Sequence, residues 1–282
     1  MSVALQLPTP TWFVGCGNMG GAIVEGLRLA GYDLSTAIIV DPRGAPVDGI
    51  RTVRSAAEAG SPPRLVILGV KPQLLDEVAP QLRTYLSAKT VLVSILAGVE
   101  AKSLRQRFPG VSSVVRAMPN LAVSIRRGVI GLFSEDADER TEQQVGDIFS
   151  ALGWAMWTAD EARLAALGSV AGAGPAYVAR FVQALARAAE KQGLSPEIAS
   201  TVALETVLGT TWMAATTGET MSDIARRVAS PNGTTEAGLA VLDAGNGLAG
   251  LIDETIGAAA RRGEELAGQA KLASLEEPER LS

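Results

Sequence analysis

Short, continuously apolar runs alternate with segments of helical spacing over the first half of the chain, and the pattern changes character near residue 160. Trp12–Gly15, Ala37–Asp41, Leu65–Val70, Val91–Ile95 and Val111–Arg116 read as strands, with further strands near Val129–Phe133 and Trp154–Thr158. Between them Met19–Ala30, Gln73–Leu86 and Glu100–Phe108 carry the spacing of helices. Strands that are apolar on both faces need cover on both, so the alternation predicts an α/β fold with a doubly wound parallel sheet. From about Glu161 the strand pattern stops. Tyr177, Phe181, Leu185 and Ala188 recur at helical spacing as far as Gly193. Ser195-Pro196-Glu197 then opens another helix, with a capping serine, a proline in the first turn and an early acid. Thr217-Gly218 and Gly245-Asn246-Gly247 punctuate further helices. The expected organisation is an α/β domain over residues 1–159, an all-helical domain over 160–270 and a polar, frayed tail over 271–282.

Composition narrows what such a protein can do. At 282 residues and 47% apolar content the chain can bury a substantial core. Its net charge of −5, with Lys and Arg scattered, argues against a nucleic-acid partner. The first ten residues hold no Lys or Arg and no long apolar run, so no secretory signal is expected. Three glycines and Pro175 interrupt the uncharged run Leu164 to Ala179, so no membrane span is expected either. The expected location is the cytoplasm. One cysteine, Cys16, allows no intrachain disulfide and no Cys-based zinc site, and no metal is expected. Histidine is absent altogether, which excludes every Ser-His, Cys-His and His-metal mechanism. Hydride transfer to a C=N bond that arrives already protonated meets that restriction.

The motifs agree with redox chemistry on a dinucleotide. Gly15-Cys16-Gly17-Asn18-Met19-Gly20 is a GxGxxG that follows an apolar strand and opens a helix, the context in which the pattern binds a pyrophosphate. Gly15 suits the tight turn, Gly17 the close approach of the phosphates and Gly20 close packing of helix on strand. Asp41 ends the next strand, about 20 residues further on, where a carboxylate accepts hydrogen bonds from ribose and favours NADH. Read that way, Asp41→Ser moves preference towards NADPH. Arg43, two residues on, fits a 2′-phosphate and favours NADPH, and the sequence leaves both readings open. Val70-Lys71-Pro72, Ala97 and Asn120 follow later strands, at the edge where an open α/β sheet binds its ligand. Far along the chain, Ser230-Pro231-Asn232-Gly233 turns into Thr234-Thr235 at a helix start. Free backbone N–H groups there attract an anion, and a hydroxyl stands beside them.

These segments, in this order, resemble the pyrroline-5-carboxylate reductase family. The resemblance runs from about Phe13 to Leu266. It is carried by the Gly-loop, Val70-Lys71-Pro72, Val115 to Asn120, Gly172 to Tyr177 and Val228 to Gly238. It implies a Rossmann-type domain followed by a helical dimerisation domain, with dimers often assembled into larger rings. It also implies reduction of 1-pyrroline-5-carboxylate to L-proline by NADPH or NADH, the last step of proline synthesis. On this chain Ser230, Gly233 and Thr234 correspond to the cradle of the substrate carboxylate, and Thr235 to the hydroxyl beside the ring nitrogen. Gly15, Gly17, Asn18, Met19, Gly20, Asp41, Arg43, Val70, Lys71, Pro72, Ala97 and Asn120 correspond to the cofactor surround. The chain departs from the family pattern at Ala171 and Ala173, where two serines are common, at Asn232, where a glycine is usual, and at Leu121-Ala122 after the Met-Pro-Asn segment. The alternatives are a β-hydroxyacid dehydrogenase-like enzyme, a reductase of other cyclic imines, or a non-catalytic NAD(P)-binding homologue. The first needs a lysine in the helical domain, where Lys191 is the sole candidate and stands at a helix end.

Overall fold

A computed structural model describes residues 5–44 and 47–275. In chain order the first part contains β1 (Leu5–Gln6), β2 (Thr11–Val14), α1 (Asn18–Leu29), β3 (Tyr32–Asp33), β4 (Ala37–Val40), β5 (Arg51–Val53), α2 (Ala56–Ala59), β6 (Leu65–Leu68), α3 (Leu75–Leu82), β7 (Val91–Ser94), α4 (Ala101–Arg107), β8 (Ser113–Pro119), β9 (Gly128–Phe133), α5 (Glu139–Ser150), β10 (Gly153–Trp157) and α6 (Glu161–Leu167). Eight strands form one sheet in the order β10-β9-β8-β7-β6-β2-β4-β5, while β1 and β3 pair separately. The chain turns back beside β2, so the strand order reverses between β6 and β4. That is the doubly wound arrangement, with its ligand crevice at the reversal.

Side chains alternate across this sheet. Phe13, Ile39, Ile67 and Val93 enter one core with Ile23, Leu27 and Phe149. Trp12, Val66, Leu68 and Leu92 enter the other with Leu104 and Phe108. Period-two alternation with both faces buried is what an all-apolar parallel strand requires. On the first face α1 lies so close to the turn Leu121–Ile125 that a Cβ on Gly26 would collide with the Val123 carbonyl oxygen.

One part of the sheet departs from the parallel expectation. β8 and β9 pair antiparallel, and β10 then runs parallel to β9. The cause is connection length. β8 continues to Pro119, so only Asn120–Arg127 separates it from β9, whereas a parallel crossover needs a dozen residues or more. Arg126, with φ 59°, makes the reversal.

The remaining helices are α7 (Gly174–Lys191), α8 (Pro196–Thr217), α9 (Met221–Val228), α10 (Thr234–Asp243) and α11 (Gly247–Leu275). Strands end at Trp157, yet the first compact unit runs from Met1 to Ala173, with Ala259–Ser282, and the second from Gly174 to Ala258. The expected division at residue 160 therefore marks the end of the strands, while α6 stays with the sheet. The reason is packing: Leu164 is fully buried with Phe133 and Ala101, and Met118 packs against the π-helical turn Gly168–Gly172. Of the expected tail, 271–275 continue α11, and 276–282 lie outside the described residues.

Within the second unit α7 packs on α8 through small residues. Ala186 of α7 and Ala199 and Ala203 of α8 are the buried positions of these two helices. Their larger apolar side chains, Phe181, Ile198, Val202, Leu204 and Leu208 among them, stay exposed in the single chain. No helix among the described residues is long and apolar enough to cross a membrane.

Candidate functional site

The sheet gathers its candidate residues along one edge, because β2, β4, β6, β7 and β8 all run parallel and end there. Gly15 leaves β2 with φ 81°, its N–H donating to the Val40 carbonyl at 2.9 Å. A Cβ at Gly15 would stand 2.9 Å from Gly69 C and Val70 N, and one at Gly69 would stand 2.9 Å from Gly15 O. The glycine pair lets the ends of β2 and β6 touch, and Gly69 was not among the residues singled out from the sequence. Its signal was there, in the glycine closing the apolar run before Val70. Gly15→Ala combines a backbone conformation that disfavours a side chain with a clash against backbone. It is expected to cost about 1–3 kcal/mol of stability and to weaken NAD(P)H binding, read by denaturation midpoint and cofactor titration.

Gly17 is different. A Cβ there would meet nothing within 4 Å, so the space above the loop is open. Gly17 is also the N-cap of α1 and has no side chain to satisfy the first-turn N–H groups of Asn18, Met19 and Gly20. Asn18 is exposed and Met19 leans on the core. Gly20 packs against the loop itself, since a Cβ would stand 2.9 Å from Gly15 O. An open space over uncapped amides at a helix start fits a pyrophosphate.

Beside the loop, Asp41 is buried at 4% exposure. Its Oδ2 accepts from the Cys16 N–H at 3.1 Å and from Arg43 Nη2 at 2.8 Å, and its Oδ1 accepts from Arg43 N and Nε, both at 3.0 Å. The Arg43 side-chain hydrogen bonds hold the Asp41 carboxyl down at about 2, against 3.8 for an ordinary aspartate, with the backbone donors of Arg43 and Cys16 adding to the effect. Burial, together with the Asp41 charge, pushes the Cys16 thiol up, away from the thiolate form. Because the folded-state value of Asp41 is the lower one, its stabilisation is complete above the unfolded value and fades as pH falls through about 4 to about 2. The difference in Tm between wild type and Asp41→Asn is accordingly expected to hold steady above about pH 5 and to close below about pH 4.

The later strand ends complete the edge. Val70 is half-buried and Lys71 exposed, and Pro72 begins a short 3-10 turn. Ala97 is exposed beside Gly98, which has φ 74°. Asn120 is buried and braces the scaffold: its Oδ1 accepts from Val129 N at 3.2 Å and its Nδ2 donates to Ala171 O at 3.1 Å. Asn120 thereby ties the end of β8 to the π-helical turn. Ala171 lies within that turn and Ala173 between it and α7, where the sequence suggested a loop-to-helix transition. A second brace lies behind, where buried Arg116 pairs through Nη1 with Glu161, whose other carboxylate oxygen accepts from the Ala101 N–H at 2.7 Å. Neither Arg116 nor Glu161 was singled out from the sequence, since nothing local brings residues 45 apart together.

In the second unit Ser230, Gly233, Thr234 and Thr235 form one turn. Gly233 N–H donates to Ser230 O at 2.9 Å, and Asn232 takes φ 56°, a left-handed conformation that asparagine tolerates. Pro231 and Asn232 therefore stand as the central residues of a type II-like turn. Gly233 is the N-cap of α10 and carries no capping side chain, which leaves the Thr234 and Thr235 amides at the head of the helix. Glu236, overlooked in the sequence, reaches back to accept from the Asn232 N–H at 2.6 Å and fixes the turn. Thr234 is exposed and Thr235 half-buried. Lys191 is exposed as the last residue of α7. Among the described residues no three metal-ligating side chains cluster.

Comparison with known proteins fits both halves. Residues 161–266 match the family described as pyrroline-5-carboxylate reductase dimerisation, and residues 12–98 match the one described as NADP oxidoreductase coenzyme F420-dependent. A pyrroline-5-carboxylate reductase of Pseudomonas aeruginosa is 38% identical over 264 residues, covering 91% of this chain and 96% of the relative. Pyrroline-5-carboxylate reductase 2 of Bacillus subtilis is 31% identical, covering 92% and 96%. A solved pyrroline-5-carboxylate reductase from Coxiella burnetii superposes with a TM-score of 0.83 at 32% identity, covering 93% of this chain and 99% of that one.

Proposed function

This chain belongs to the pyrroline-5-carboxylate reductase family, and from that premise we infer that it reduces 1-pyrroline-5-carboxylate to L-proline with NAD(P)H, the last step of proline biosynthesis. Bound NAD(P)H supplies the hydride. The residues that hold it are Gly15, Gly17, Asn18, Met19 and Gly20 at the pyrophosphate, Asp41 and Arg43 on the adenosine side, and Val70, Lys71, Pro72 and Ala97 along the strand ends. The open space over Gly17 and the uncapped start of α1 support that assignment. Asn120 serves the same edge by fixing its last strand end.

The substrate carboxylate binds the Ser230–Thr235 turn. There the Thr234 and Thr235 amides and the positive end of α10 favour a small anion. Thr235 then orients the ring nitrogen through its hydroxyl. A threonine hydroxyl is a weak acid at neutral pH, so its contribution is geometric: a held near-attack arrangement supplies roughly 7–11 kcal/mol of a barrier without any imidazole. The observation that carries this reading is the uncapped helix start with Thr235 in its first turn. The exposed Lys191 at the end of α7 offers no buried proton donor of the β-hydroxyacid dehydrogenase kind.

The protein is oligomeric through its helical dimerisation domain. The exposed apolar side chains of α7 and α8 supply the surface for a homodimer, and assembly of dimers into a ring is the extension the family resemblance implies. We place the enzyme in the cytoplasm. The direct test follows NADH and NADPH oxidation with pyrroline-5-carboxylate and with its six-membered homologue, side by side. Proline formation with the higher kcat/KM for the five-membered ring is expected. Cofactor binding without proline formation would overturn the reading in favour of a non-catalytic homologue.

A further inference from the structure

We propose that Glu161, fixed by Arg116, is a positioning residue for the nicotinamide end of the cofactor: it ties down the loop of residues 95–100, which carries Ala97. The inference rests on the cofactor reading above and gives a part in the reaction to two residues that stand behind the ligand edge. The near end of the loop is pinned by the sheet, where Ile95 N–H donates to Leu68 O at 3.0 Å and Leu96 N–H to Ser94 Oγ at 3.3 Å. Leu96 and Val99 are buried, Gly98 turns with φ 74°, and Ala97 is left exposed between them. The direction in which Ala97 and its backbone face a flat ring therefore depends on where the far end is held.

That far end has no local anchor. Glu100, the N-cap of α4, makes no side-chain cap bond, and a helix's first amides have no acceptor within the helix. Glu161 supplies one from 60 residues away, at the start of α6. Its Oε1 accepts from the Ala101 N–H at 2.7 Å, while its Oε2 pairs with Arg116 Nη1. Arg116 stands on β8 opposite Ser94, the last residue of β7, and its side chain is 6% exposed. The carboxylate is thus divided between the loop and the sheet and sets the distance from one to the other. Stability alone does not call for such a device. A serine or aspartate at position 100 would cap α4 locally, and a buried ion pair is a weak source of stability beside apolar packing. What a charge-assisted bridge adds is a fixed position for the end of the loop.

The test separates position from stability. Arg116→Met with Glu161→Leu removes the bridge without stranding a charge, so folding should be largely restored while the loop stays untied. Ala101→Pro removes the tied amide itself, at a first helical position that accepts proline after the extended Glu100. In both, at temperatures well below the unfolding midpoint, kcat/KM for NAD(P)H is expected to fall about tenfold or more, because a reacting ring displaced by about 1 Å loses that much or more. Titration calorimetry then compares each dinucleotide with the same molecule lacking nicotinamide: NADH with ADP-ribose, and NADPH with 2′-phospho-ADP-ribose. The fragments should bind within about twofold of wild type, since the Gly-loop and the adenosine side are untouched. A folded double variant with wild-type kcat/KM, or wild-type turnover in Ala101→Pro, overturns the proposal. So does a fragment weakened as much as the whole dinucleotide, which would mean general damage to the domain. Failure of the wild-type chain to bind either dinucleotide or either fragment overturns the cofactor reading itself and the proposal with it.

Discussion

Thr235→Ala is expected to lower kcat by about 100-fold while NAD(P)H affinity stays within about twofold. The asymmetry follows from where the residue stands. Thr235 is the second residue of α10, and the Thr234 and Thr235 amides that receive the substrate carboxylate belong to the backbone, which alanine keeps. What alanine removes is one hydroxyl beside the ring nitrogen, a contact that orients the C=N bond in the transition state more than in the ground state. KM for the imine should therefore change less than kcat. Thr235→Ser keeps the hydroxyl and is expected to retain activity within about tenfold of wild type. Steady-state kinetics with pyrroline-5-carboxylate, paired with cofactor titration, read all three. Unchanged turnover in Thr235→Ala would remove the residue from the reaction.

The second large effect concerns stability. Glu161→Ala should lower the free energy of unfolding by about 3 kcal/mol, near the lower end for breaking a buried pair because the Glu161 side chain is 26% exposed. Arg116 is buried on β8, and among the described residues no acceptor reaches its Nε, so Glu161 is the partner that compensates its charge. Losing Glu161 also strips the acceptor from the Ala101 amide at the start of α4. Replacing both members, as Arg116→Met with Glu161→Leu, should recover most of the loss, because an apolar pair leaves no stranded charge. Chemical denaturation of the three variants tests this, and a double variant no more stable than Glu161→Ala would contradict it.

The strand ends most useful to function were readable from local pattern. Leu65–Leu68 and Val91–Ser94 fall inside the expected runs, and Gly15 to Gly20 open α1 as the motif demands. The two-residue strands β1 and β3 and the edge strand Arg51–Val53 were not readable. Arg51 is exposed and Val53 buried, and three residues are too few to display a period. The antiparallel entry of β9 was hidden for a related reason. Ending the preceding strand at Arg116 instead of Pro119 left a gap long enough for a crossover, while the true connection permits only a reversal.

By itself the sequence determined that the chemistry uses no imidazole, that a dinucleotide loop opens the fold, and that two threonines follow a Pro-Asn-Gly turn. Each is a property of composition or of neighbours along the chain, where turn geometry and helix starts are decided. Only the tertiary structure decided which donors fill Asp41, which helix Glu161 anchors, and how close Gly15 comes to Gly69. The occupancy of a carboxylate or the clearance around a glycine depends on distances between segments far apart in sequence, and those are fixed only when the sheet brings its strand ends to one edge.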